Sequence, residues 1–266
     1  MSHKLQLSKI TSKDLMDHDL QESVAVIPVS AIESHGPHLP LGVDALLNDS
    51  LVERLIELSP SADQIFVLPN TNFGMSTEHS AFPGTITIPA ETLIEYWVQI
   101  AVSLKKAGFR KVLFLNSHGG QVGIADIVLR RLRSEQQLLA HSLHWFKISA
   151  PDGMFRDDEL KHGIHGGEVE TSLMLYKWPD LVKMELAKDF ISLSKELEGQ
   201  YHHINPTGKI LSFGWQTQDL NLAGALGNAA NATAKKGEEY FEVIAAEVSQ
   251  MLDEIIALPF DTLKQT

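Results

Sequence analysis

Two short apolar runs set the limits on how this chain can fold. Val24-Ala25-Val26-Ile27-Pro28-Val29 and Val112-Leu113-Phe114-Leu115 contain no charged or amide side chain. A strand that is apolar at every position needs cover on both faces, which is the environment of a parallel sheet held between helical layers. Helical patterns surround the runs. From Asp44 to Leu58, Leu46, Leu47, Leu51, Val52, Leu55 and Ile56 form one apolar stripe. Pro89 opens a second helix over Ala90–Ala107, in the position proline tolerates, and Gly108 stops it.

The rest of the chain alternates in the same way. The sequence predicts a short helix over Thr11–Asp19 capped at Thr11 or Ser12, and strands over Val24–Ser30, Ile65–Leu68, Thr85–Ile88, Lys111–Asn116 and Leu138–Trp145. Further helices are expected over Gln121–Ser134, Gly167–Tyr176 and Ala232–Leu258. Pro151–Ile164 reads as a polar loop and residues 191–230 as irregular. This order predicts a three-layer α/β/α sandwich with a largely parallel central sheet, forming one domain over residues 1–266.

Composition narrows the function classes. Twenty-two basic against 34 acidic residues give a formal charge of −12, with no basic stripe, so neither nucleic acid nor an anionic membrane is an expected partner. The chain has no cysteine, which excludes disulfides, thiolate metal sites and a cysteine nucleophile. Met1–Leu20 is polar and charged and does not read as a signal peptide, and no apolar run reaches the ~20 residues that span a bilayer. A cytoplasmic protein is the expectation.

The chemistry concentrates where strands end. Glu33-Ser34-His35-Gly36-Pro37-His38-Leu39-Pro40-Leu41-Gly42-Val43-Asp44 sets two carboxylates and two imidazoles in a stiff loop after the first strand. Oxygen and neutral imidazole suit a divalent cation, and a loop with few accessible conformations loses little entropy in holding one. Any one of these residues alone would read as part of a polar turn. His118 follows the other buried strand and precedes Gly119-Gly120; it reads either as a ligand or as an incidental histidine in a helix-capping turn. If the next helix starts near Gly166, His165 and Glu168 point the same way and Glu170 points elsewhere, although both acids also fit a first turn complementing its dipole. Ligands collect at the carboxyl ends of strands in such sheets, and both loops lie there. Of the twelve histidines, His3, His18, His202 and His203 read as solvated, and His141 and His144 as packed on opposite faces of a strand. His162, in a charged loop, has no assigned role.

Taken together, these pieces resemble the creatininase (creatinine amidohydrolase) family. The matching residues are Glu33-Ser34-His35-Gly36-Pro37-His38-Leu39-Pro40 with Asp44, Gly74-Met75-Ser76 with Glu78-His79 and Phe82-Pro83-Gly84-Thr85, Asn116-Ser117-His118-Gly119-Gly120, and His165-Gly166-Gly167-Glu168-Val169-Glu170-Thr171-Ser172. They keep the family's order over roughly residues 24–240. The resemblance implies two divalent ions per subunit, zinc foremost with manganese or iron as alternatives, hydrolysis of a C–N bond in a small molecule such as a cyclic amide or formamide, and a homo-oligomer, a hexamer by analogy. It implies that Glu33 and His118 hold one metal, His35 the other, and Asp44 both. Creatininase itself has a Glu where this chain has Gly120, so the fifth ligand is sought elsewhere, and Glu168 beside His165 is the candidate. His165 resembles the proton-donating histidine. Ser76, Glu78, Gly119 and Gly120 are expected around the substrate, with Ser76 or the glycine N–H groups at the developing oxyanion. His38 is expected just outside the ligand set. Only Trp145 and Trp178 lie near the pocket tryptophans of creatininase, which argues against creatinine as the substrate. Two other readings are a non-catalytic metal or small-molecule binding protein on the same scaffold, and a metal-free hydrolase using Ser76 or Ser117, for which no G-x-S-x-G elbow is present.

Overall fold

The computed structural model describes residues 6–206 and 210–264. Four strands, β1 (Val24–Val29), β2 (Ile65–Val67), β3 (Lys111–Asn116) and β4 (Leu139–His144), form one parallel sheet in the order β2-β1-β3-β4. The register sets Val29 beside Asn116, and Asn116 beside His144, so β1 and β3 end level with each other. Among the helices are α1 (Ser12–Met16), α2 (Val43–Leu58), α3 (Ala90–Ala107), α4 (Val122–Gln136), α5 (Asp157–His162), α6 (Glu168–Lys177), α7 (Leu193–Gln200), α8 (Thr217–Leu220) and α9 (Ala234–Ala257). A second, antiparallel pair joins β5 (Asp189–Phe190) to β6 (Gly227–Asn228).

Alternation along the central strands explains the layers. Val24, Val26, Leu113 and Leu115 share one core with Leu47 and Leu51 of α2 and Phe241 and Ile244 of α9. Ala25, Ile27, Val112 and Phe114 point the other way, onto Trp97 of α3 and Val128 of α4. Every residue of β1 and β3 is buried, as expected of strands without a polar face. Burying each large aliphatic or aromatic side chain contributes about 2 kcal/mol, and the polar residues at the two ends of β3 are buried with partners, Lys111 Nζ donating to Ile256 O and Asn116 bonding His118 and Gln121. The helix ends follow the sequence signals. Thr11 caps α1 reciprocally with Asp14, Pro89 precedes α3, and Gly108 closes it with φ +123°. No helix among the described residues is long and apolar enough to cross a membrane.

Three expectations change. Thr85–Ile88 is not a strand: Ile86 makes a single bridge to Ile32, while the hydroxyls of Thr85 and Thr87 accept from the backbone N–H of Ser34 and Ser76. Its hydrogen-bonding capacity is spent on the loops around the site. The polar stretch Pro151–Ile164 contains α5, whose first turn is acidic and whose last turn is basic, matching the helix dipole. Residues 191–230 are not uniformly irregular, since α7, α8 and β6 lie in them; Ser192 caps α7 by accepting from Ser194 N.

Candidate metal centre

The carboxyl edge of the sheet gathers the site. Ser117 N donates to Val29 O, so the chain leaving β3 lies directly beside the chain leaving β1. The β1 loop closes on itself through Glu33 N to Leu41 O at 3.0 Å. Asp44, expected at the loop's end, lies in the first turn of α2. One turn further along, Asn48 Nδ2 donates to Leu115 O at 3.0 Å and ties the start of α2 to β3. Asn116 does the same for His118: its Oδ1 accepts from His118 N and Gln121 Nε2, and its Nδ2 donates to His118 O and His144 Nδ1.

Glu33, His35, Asp44 and His118 therefore converge, each no more than 3% exposed. The two oxygens of Asp44 are divided between two histidines, Oδ1 lying 3.4 Å from His35 Nε2 and Oδ2 3.3 Å from His118 Nδ1. Glu33 Oε2 lies 3.1 Å from the same His118 nitrogen. On the far side of His118, Nε2 donates to Met75 O at 2.9 Å, with Glu78 Oε1 3.4 Å away. A backbone carbonyl behind a ligating imidazole fixes its tautomer and leaves Nδ1 free to bind.

Glu168 does not join this cluster. The helix begins at Glu168 rather than near Gly166, and His165 lies in an extended bridge to Leu226, so the three-residue helical spacing between them does not apply. Glu168 pairs with Lys236 of α9. Glu170 stands about 200° further round the helix. Its Oε2 lies 4.0 Å from His35 Nε2 and also accepts from Gly166 N. His35, His165 and Glu170 are close enough to share one ion, as are Glu33, His35 and Asp44, and Glu33, His79 and His165.

His79, which the sequence allows either as a ligand beside Glu78 or as part of a loop enclosing substrate, also points into the site. Thr217 Oγ1 donates to Glu78 O at 2.9 Å and so accepts from His79 Nδ1 at 2.8 Å. The His79 lone pair is thereby turned inward, with Nε2 3.5 Å from Glu33 Oε1. His165 is held in a similar way. Its Nε2 donates to Ser34 O at 2.7 Å, leaving Nδ1 3.7 Å from the same Glu33 oxygen. The rings of His79 and His35 lie on either side of His165, 4.0 and 4.2 Å from it between centroids and each tilted by 33°. The adjacent Glu78-His79 pair was the signal available in the sequence, but only the fold turns His79 inward.

Ser76 is fully buried, and its hydroxyl has no hydrogen-bond partner. Gly119 faces open space, whereas a Cβ on Gly120 would overlap the Glu78 carboxylate and the His118 ring, so Glu78 fills the room beside Gly120. His38 turns away from the ligands, bonding Thr171 Oγ1 at 2.9 Å and stacking on Phe190. Ser117 donates to Val29 O and Ser76 lacks a base, so neither is an activated nucleophile. Trp145 is buried in the core, and Trp178 donates to Ser50 Oγ. His18 is half-buried against the edge of Phe66, His202 and His203 are exposed, and His3 lies outside the described residues. His141 and His144 are half-buried on opposite faces of β4, and His162 is buried between Ser194 and Glu198.

The electrostatics favour cations at this point. Burial pushes the His118 imidazole down, but the carboxylates of Glu33, Asp44 and Glu78 beside it hold it well above its ordinary value. Burial also acts on His35, yet Asp44, Glu170 and Glu33 lift it to about 9. Burial raises Asp44, but His118 and His35 hold its carboxyl below the usual range. His79 and His165 are pushed down by burial and by their imidazole neighbours, so both stay neutral. Glu33 Oε2, His35 Nε2 and Asp44 Oδ2 are buried with no hydrogen-bond partner. Orphaned buried polar atoms that converge on one space fit a metal, because unmatched they carry a desolvation penalty.

Comparisons with known proteins agree with this fold. A family model described as Creatininase, creatinine amidohydrolase, matches residues 8–252. The mycofactocin precursor peptide peptidase of Mycolicibacterium smegmatis is 29% identical over 238 residues, covering 88% of this chain and 85% of its own. The 3-dehydro-scyllo-inosose hydrolase of Thermotoga maritima is 27% identical over 267 residues, covering 93% and 82%. A solved structure from Bacteroides fragilis, described as a candidate creatinine amidohydrolase, matches with TM-score 0.78 and 27% identity over 97% of this chain and 99% of that one. Creatininases solved in forms described as Mn and Zn-Zn have the same fold, with TM-scores of 0.73 and 0.75 at 24% and 23% identity; they cover 96% and 95% of this chain and 99% and 98% of their own.

Proposed function

The chain belongs to the creatininase family, and from that premise we propose that it is a single-domain, metal-dependent amidohydrolase that cleaves a C–N bond in a small cyclic amide or formamide. The observation that carries the reading is Asp44, whose two buried oxygens face His118 and His35 separately, as a bridge between two cations requires. Glu33, Asp44 and His118 would hold one ion, and His35, Asp44 and Glu170 the other. Zinc or manganese suits this oxygen and imidazole donor set. Such a pair supplies Lewis acidity at the scissile carbonyl and a water acidified enough to ionise near neutral pH.

The chain's own residues do the rest. His165 is neutral with its Nε2–H held by Ser34, so a proton passes at Nδ1, first accepted from the attacking water and then given to the departing nitrogen. His79, whose Nδ1–H donates to Thr217, accepts a hydrogen bond from that water at its inward Nε2 and so orients it. The free Ser76 hydroxyl donates to the carbonyl oxygen as negative charge develops there. Glu170 and Glu78, with side chains 26% and 16% exposed, mark the open side from which substrate enters. The core position of Trp145 and the Ser50 bond of Trp178 argue against a creatinine pocket here.

Elemental analysis of protein purified without added metal tests this reading, followed by turnover of a panel of lactams, formamides and cyclic ureas. Two equivalents of zinc or manganese and chelator-sensitive turnover are expected. Turnover that survives exhaustive chelation would overturn it. The exposed Ile191, Ile204, Ile210, Leu211, Phe213 and Leu222 support assembly into a homo-oligomer through the 191–222 region. Sedimentation of the purified protein as a monomer would remove that part.

A further inference from the structure

We propose that Glu159 is a positioning residue for His165, a clasp that fixes the turn presenting this histidine to the site; the proposal rests on the proton-moving role given to His165 above. Glu159 is 6% exposed and lies on α5, away from the ligand cluster. Its two carboxylate oxygens each accept a backbone N–H. Oε1 takes Glu168 N at 2.6 Å, the first residue of α6, and Oε2 takes Asn228 N at 2.7 Å, in β6. Between these anchors runs the turn 163–167. His165 O accepts from Leu226 N at 2.7 Å, so the turn and β6 are joined on both sides of the carboxylate.

The glycines explain how so much backbone fits around one side chain. A Cβ on Gly163, Gly167 or Gly227 would overlap the Glu159 carboxylate in each case. The turn and the neighbouring β6 strand thus both omit side chains at the points where the carboxylate sits. α5 is itself anchored, because His162 bonds Ser194 Oγ and Glu198 of α7. A carboxylate that accepts two buried N–H groups can be matched by no other side chain of its length. In glutamine only one oxygen accepts, and the amide would set N–H against N–H. The clasp therefore acts on His165 through backbone alone, which is why no pattern of catalytic residue types reveals it.

The test uses the zinc-loaded protein with Glu159→Gln, Gly163→Ala and the double variant. Gly163 has φ −86°, which alanine adopts, so its substitution acts by displacing the carboxylate and serves if Glu159→Gln does not fold. Hydrogen exchange at the amides of Glu168 and Asn228 is expected to quicken about tenfold or more, with the amides of β1 and β3 unchanged. The side-chain nitrogen spectrum of His165 is expected to lose its single Nε2–H tautomer, and zinc content to stay at the wild-type value. For whichever panel compound the wild type hydrolyses, kcat should fall roughly tenfold with KM little altered, and the double variant should be no worse than Glu159→Gln alone. Unchanged exchange together with an unchanged His165 spectrum in a folded variant would overturn the clasp, as would additive losses in the double variant. If the wild type hydrolyses nothing in the panel, the hydrolase reading fails, while exchange and the His165 spectrum still decide the clasp.

Discussion

The β1–α2 loop and the α5–α6 turn each bring histidine and carboxylate to the same site, but by opposite means. The first is rigid by its own composition. Two prolines, the Glu33–Leu41 backbone bond and the Asn48 tie hold Glu33, His35 and Asp44 where the sheet ends. The second is pliable by itself and rigid only through distant partners: Glu159, Leu226 and the glycines that admit them. Three of the proposed ligands, Glu33, His35 and Asp44, lie on the self-supporting loop, whereas His165, the proposed proton carrier, sits on the borrowed scaffold.

Breaking the first region should have the largest effect. Asp44→Asn is expected to lose both cations and more than about a hundredfold in kcat/KM, since loss of even an outer partner of a metal ligand costs roughly 10–100-fold. Metal analysis with kinetics checks this, and two bound ions with full turnover would sink the bridging assignment. In the second region, Glu170→Gln should remove one of two cations with a roughly hundredfold loss of turnover. Glu168→Gln should leave metal content intact and only lower stability, by about 1–2 kcal/mol, through its Lys236 pair. If calorimetry and metal counts show the reverse, the two acids have been exchanged.

A pH series sharpens the contrast without mutation. The His35 value is lifted from 6.5 to about 9 by its acidic neighbours. Its contribution to stability in chelated protein is therefore present below pH 6.5 and lost as pH rises through about 9. Metal binding needs the same ring deprotonated, so the difference in Tm between zinc-loaded and chelated protein should widen over that window. A constant difference would show that His35 takes no part. The smallest expected effect is Thr217→Val, which frees the His79 tautomer and should lower kcat roughly tenfold with both ions retained. Equal activity in the variant would remove His79 from the orienting role.

The sheet was legible because continuous apolar runs admit few environments, and β1 and β3 occupy the one they imply. Glu33, His35 and Asp44 were legible because one short stretch carries them all, and His118 because it leaves the neighbouring strand at the same level. Thr85–Ile88 misled because its threonines look like strand residues while their hydroxyls serve two loops. Glu168 was the candidate because it stands three residues from His165, but spacing along a chain shows which residues share a face only within a helix, and α6 begins at Glu168, which leaves His165 outside it.

A parallel sheet with oxygen and imidazole donors at its carboxyl edge follows from the order of residues alone, because those features are local and the sheet makes them meet. The tertiary structure decided that Glu170 faces His35, that Thr217 turns the His79 lone pair inward and that Glu159 fixes the turn carrying His165. Each depends on contacts between segments from 9 to 138 residues apart. Such contacts leave no periodic trace, since one residue at each end suffices to make them.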